Sequence, residues 1–137
     1  MSVGNIITQL AAIETGIAGI KRAYDKTPDS LSELPCFINF PVSGEYIRDP
    51  MRRVVRHTIR AQLYVTRSDL LSAEAQLRPF LELVFNALDA DLDLGASCDY
   101  HRITRYDYGA LIFAKVVYLG MSFDLEVSEL TSATFAK

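Results

Sequence analysis

The side chains able to do covalent or metal chemistry are few: two cysteines, Cys36 and Cys98, and two histidines, His57 and His101. A nucleophilic site needs a cysteine or serine beside a histidine that a third group holds in place. His57 falls among the apolar positions of a long alternating stretch, where a hydrogen-bonded structural histidine is the simpler reading. His101, flanked by Asp99 and Arg105, reads as an exposed strand histidine. All four could make a Cys2His2 zinc site only by converging on one tetrahedron. Cys98-x-x-His101 is their only close spacing, and alternation along a regular strand sends those two to opposite faces. Two buried thiols are the preferred expectation. Asp89, Asp91 and Asp93 alternate like the opening of a calcium loop, yet the position that needs a chelating glutamate is Tyr100. A solvated acidic helix end fits them better. Neither GxGxxG nor GxxxxGK occurs, so no glycine-rich phosphate loop is expected.

The arginines carry more information. Arg48, Arg52, Arg53, Arg56 and Arg60 put five guanidinium groups into thirteen residues, with Tyr64 close behind. Arginine and tyrosine together anchor protein interfaces, because each joins an apolar body to directional polar atoms. A nucleic-acid surface competes with that reading. The net charge of −3 and the acidic Asp124 and Glu126 of the last strand speak against it. An ordinary solvated sheet face with in-plane ion pairs is the third possibility. If these strands share one sheet, arginines and carboxylates could meet across a subunit contact.

Those residues need elements to hold them. From Val55 to Thr66 the odd positions read Val, His, Ile, Ala, Leu, Val and the even ones Arg, Thr, Arg, Gln, Tyr, Thr. A period of two gives one apolar face and one wet, basic face. The pattern returns with Val117, Leu119, Met121, Phe123, Leu125 and Val127, so an antiparallel sheet with one covered face is expected. Ile6, Leu10, Ile13, Ile17, Ile20 and Tyr24 form a helical stripe, predicting a helix over most of Val3 to Ala23. Asp25 to Pro35 is a connector. Cys36 to Phe40 is a short strand ended by Pro41, and Val42 to Pro50 a hairpin or projecting loop turning at Ser43-Gly44. Ser68 or Ser72 caps a second helix, with Leu70, Leu77, Leu81, Val84, Phe85 and Leu88 as its apolar face. Pro79 should bend it or leave its first turn irregular, and Asp89 to Leu94 with Gly95 should close it. Cys98 to Asp107 reads as a strand, with the turn toward the last strand at Tyr108-Gly109 through Ala114. Ser128 to Lys137 reads as a tail. The fold class is α+β: an antiparallel sheet of about four strands with two helices packed on one face, in a single domain over residues 1–137.

A 137-residue chain, half of it hydrophobic, can bury one core. No apolar run is long enough to span a bilayer. The first residues lack a basic region and place Glu14 inside the apolar stretch, which does not read as a signal peptide. Two cysteines suit a reducing compartment better than a disulfide scaffold. These bounds predict a soluble, intracellular protein.

Two stretches carry a resemblance. In IAGIKRAYDKTPDSLSELPCFINFP, Ile17 to Pro41, a helix end with Ile-x-x-Ala-Tyr leads through a proline-containing loop to Leu-Pro and an apolar strand. In YDYGALIFAKVVYLGMSFDLEV, Tyr106 to Val127, a Tyr-Gly turn leads to a Tyr-x-Gly-x-x-Phe-x-Leu-x-Val strand. With the order of elements, these resemble the tail terminator (tail completion) proteins of long-tailed bacteriophages. The shared residues are mostly core and turn positions.

The resemblance implies a small α+β structural protein of the virion, placed at the head-proximal end of the tail and assembled in the host cytoplasm. Six copies would form a ring that caps the tail tube, ends its polymerisation and joins tail to head. Its partners would be further copies, the tail tube protein and a head-completion or connector protein. DNA would pass through the lumen without sequence-specific binding, and no catalysis, cofactor, metal or membrane is implied. Ring contacts would fall on sheet edges and loops, with Val42 to Pro50 and the loop from Tyr106 to Lys115 as docking elements. The expected interface set is Arg48, Arg52, Arg53, Arg56, Arg60, Tyr64, Tyr108, Asp124 and Glu126. The alternatives are another head–tail connector protein, or a small cytosolic enzyme or ligand-binding α+β domain with a concave site of converging polar groups.

Overall fold

The structure, a computed structural model, describes residues 3–31, 33–67, 70–91, 93–94 and 98–132. It is an α+β fold of two helices and a five-stranded, mostly antiparallel sheet in the order β1-β2-β3-β5-β4. In chain order the elements are α1 (Val3–Thr15), β1 (Arg22–Tyr24), β2 (Cys36–Arg48), β3 (Arg52–Arg67), α2 (Leu70–Asp89), β4 (Tyr100–Phe113) and β5 (Val116–Ser132).

The first helix is shorter than its stripe. It ends at Thr15, and tight turns follow through Gly16 N–H to the Ile13 carbonyl and Ile17 N–H to the Glu14 carbonyl. Gly19 takes φ +89, a backbone region that a side chain would disfavour. Ile17 still reaches the core, so the stripe spans a helix and its turn. Arg22–Tyr24 then lie parallel to Cys36–Ile38 as the fifth strand. The second helix runs unbroken from Leu70 to Asp89 with Pro79 inside it. Pro79 cannot donate to the carbonyl four residues back, but Pro79 and Ala75 are both exposed, so water can serve that carbonyl. Ser72 lies within the helix, and Ser68 and Gly95, the residues expected to cap and close it, lie outside the described residues.

The strands are longer than their sequence signals. The second passes through Pro41 with a register shift between Pro41 and Ser43 and continues to Arg48. Its hairpin turns at Asp49–Met51, not at Ser43-Gly44. Asp49 holds that turn: Oδ1 accepts from the Met51 and Arg52 backbone N–H groups, each at 2.8 Å. Those bonds, with Arg52 beside them, hold the Asp49 carboxyl below its usual pKa. Likewise β4 continues through Tyr108 and Gly109 to Phe113, and the turn is Ala114-Lys115, with φ of 49 and 66. Positive φ at both central residues gives the twist that a two-residue hairpin needs. The expected docking loop from Tyr106 is therefore mostly strand. At the C-terminal end β5 extends to Ser132 and pairs with Arg52–Arg56, where a tail was expected; residues 133–137 lie outside the described residues.

The main core joins Ile59, Leu63, Met121, Phe123, Leu125 and Val127 of the sheet to Ile6 and Leu10 of α1 and Leu77, Val84 and Leu88 of α2. A second cluster gathers Leu31, Cys36, Ile38, Tyr64 and Tyr118. Between them the backbone is tight at Gly120, where a Cβ would collide with the Leu63 carbonyl oxygen.

Candidate assembly interface

The sheet outruns its core. Every residue from Pro41 to Arg53 is exposed, on two strands whose mutual register continues to Arg48 opposite Arg53. The inner side of this arm is supported by the end of β5, through Val54 opposite Leu130 and Val55 opposite Glu129. Large apolar side chains ride on it: Tyr46 is 60% exposed and Met51 78%, with Val42 and Ile47 nearly half exposed. Apolar groups gain little from such positions unless something covers them.

The arginines divide. Arg48 and Arg53 face each other near the arm's tip, Arg52 pairs with Asp49 at the turn, and Arg56 stands opposite Glu45. Arg60 is committed within the chain. Its Nε donates to Asp124 Oδ1 at 2.9 Å, a bond that pushes the guanidinium pKa further up. Arg102 pairs with Glu126 at 3.6 Å and Arg105 with Asp107 at 2.9 Å. Asp124 and Glu126, expected to meet arginines of a neighbour, are thus engaged in their own sheet.

Tyr64 is a correction. The basic face was expected to be wet as far as Tyr64, but this ring is 2% exposed. It packs edge-on against Phe113 and Tyr118, and its hydroxyl donates to Gln62 at 2.8 Å. Burial pushes the phenol up to about 12. The cause lies in the connector, whose Leu31 and Leu34 join the cluster over this part of the face. Tyr108, by contrast, is exposed on β4 and stacks edge-on with Tyr106.

His57 Nε2 lies 3.0 Å from Glu129 Oε2, in the part of the sheet leading into the arm. His101 is buried, not exposed as expected. Its Nε2 is 2.8 Å from the Asp91 carbonyl, so that nitrogen carries the proton and ties the end of α2 to β4. Each histidine is thus hydrogen-bonded within the fold. Cys36 and Cys98 are buried free thiols in separate clusters, each pushed up to about 11 mainly by burial. Among the described residues no three His, Cys, Asp or Glu side chains are grouped to hold a metal ion.

One groove stands out, with a volume of about 550 Å³, along Tyr100–Tyr106 of the edge strand and beneath Phe85 and Asp89 of α2. The groove has no signature in the sequence, because an unburied strand alternates just as a half-buried one does; Tyr46 and Ile47 fall within the hairpin or projecting loop expected from Val42 to Pro50, and Met51 lies just beyond it. No family model matches the chain, and no curated protein matches it in sequence. Among the described residues no helix is long and apolar enough to cross a membrane.

Proposed function

We propose that this protein is a structural subunit that works by self-assembly into a ring, acting as the terminator of a phage tail. The observation that carries this reading is the arm. A strand pair with apolar side chains exposed on it from Val42 to Met51 is poorly suited to isolation in water and well suited to a partner's surface. The resemblance of Ile17 to Pro41 and Tyr106 to Val127 to tail terminator proteins supports the particular station. On this reading both helices cover one face of the sheet, and the face of Arg60 and Asp124 is turned outward. The ring sits at the head-proximal end of the tail, ends tube growth, receives a head-completion protein and lets DNA pass. The subunit acts by shape and contact, without catalysis or cofactor.

The test is negative-stain microscopy with light scattering over a concentration series, followed by addition of the protein to polymerising tail tubes. Closed rings of uniform size, and tubes that stop growing once capped, are the expected results. Monomers at every concentration, together with tubes whose length ignores the protein, would overturn the proposal.

A further inference from the structure

Among the described residues the sheet has two open edges. β4 ends the strand order on one side. On the other, β1 flanks β2 only at Cys36, Phe37 and Ile38. From Asn39 to Arg48 the outer side of β2 therefore meets no other strand among the described residues. Backbone N–H and C=O groups along such edges are templates for another strand. Polarity follows from the pairing: β2, β3, β5 and β4 are successively antiparallel, so β2 and β4 run in opposite directions. Continuing the sheet from the β4 edge of one copy into the β2 edge of the next makes an antiparallel ladder.

The side chains agree with that ladder. Asp124 lies opposite both Arg60 and Arg105, and Glu45 lies opposite Arg56, so Glu45 and Arg105 share the charged face of the sheet. Tyr46, one residue on, points to the other face. There the groove along the β4 edge presents Ile103 and Tyr106, with Phe85 of α2 beside them. An antiparallel register that sets Glu45 against Arg105 also sets Tyr46 against Ile103, because the strand shifts register between Ile103 and Arg105. The same register places Gly44 against Tyr106, leaving the ring room to lie over the backbone. Charge, bulk and polarity are thus matched between two surfaces of one chain, which selects a second copy as the occupant.

Resting on the assembly reading above, the geometry points to a head-to-tail contact in which the β2 edge of each subunit pairs with the β4 edge of the next, with Glu45 against Arg105 and Tyr46 in the groove. Because its two halves differ, the contact is heterologous. It closes into a ring when the rotation closes.

Charge exchange tests it, read by sedimentation velocity with circular dichroism as the check on folding. Glu45→Arg and Arg105→Glu should each weaken association at least tenfold. Mixed in equal amounts, the two variants meet opposite charges at both kinds of mixed contact, so they should assemble together in alternation where neither assembles alone. The double variant E45R/R105E restores opposite charges and should assemble again. If wild type assembles while the mixture stays monomeric and the double variant is not rescued, this contact is wrong and the assembly reading stands without it. A wild-type chain that neither self-associates nor caps tubes overturns both.

Discussion

Glu14 is the residue whose chemistry and burial conflict most directly. It lies 1% exposed between α1 and the sheet, where Asn39 Nδ2 donates to its Oε1 at 2.6 Å and to the Tyr24 carbonyl at 3.0 Å. Burial drives its pKa well above the usual carboxylate value, and the Asn39 bond opposes this only in part. A folded-state pKa raised above the unfolded one means the native state binds the proton more tightly. Its contribution is complete below the unfolded pKa, about 4.3, and is lost as pH rises through the folded value. Glu14→Gln keeps an oxygen for Asn39 and removes the charge. It should therefore melt a few degrees above wild type at pH 8, since about 1 kcal/mol moves Tm by roughly 4 °C in a domain of this size. At pH 4 the gain should vanish. Melting curves at both pH values decide this, and an equal gain at both would mean that ionisation of Glu14 is not the cause. Arg60 carries a related lesson. Because it bonds the part-buried Asp124 of the neighbouring strand, reversing its charge would damage the chain's own sheet, whereas the bond of Arg105 to Asp107 is exposed and within one strand, so Glu45 and Arg105 are the cleaner probes of association.

At the scale of elements, legibility followed burial. The alternation from Val55 to Val65 and from Val117 to Val127 was readable because one side of each strand enters a core, and the order of the larger elements followed. β1 was not readable: three residues behind two glycines carry no period of their own, and their pairing with Cys36–Ile38 is set by tertiary contact. Pro41 looked like a strand terminator. It is tolerated because the outer side of β2 has no described strand there and the register shifts just beyond it. The β4–β5 turn was missed because Ala114-Lys115 lacks the Asn-Gly signature of a turn with two positive φ values. That mismatch makes a prediction. A114N/K115G should stabilise the protein by about 1 kcal/mol by relieving left-handed strain at the turn. Urea unfolding with an unchanged m-value is the measurement. A loss of stability would mean that these two residues contribute more through contacts than they cost in conformation.

For the whole molecule, the division between a thick half and a thin one governs how it should behave. Leu63, Met121 and Phe123 are buried in one cluster with core residues of α1 and α2, so opening their amides requires breaking that cluster. Tyr46, Ile47 and Arg53 are held by ladder bonds near the free end of the sheet, with exposed side chains and little to resist local opening. Hydrogen exchange on dilute monomer should therefore find arm amides exchanging far faster than core amides. At concentrations where rings form, a contact through the β2 edge should slow exchange in the arm and along β4 at least tenfold while leaving the core strands unchanged. The two outcomes separate two roles for the arm. If it is already protected in the monomer, its exposed tyrosine and isoleucine are not waiting for a partner. If it stays unprotected where the chain self-associates, the contact lies elsewhere on the sheet, and the arm is left free for a different partner.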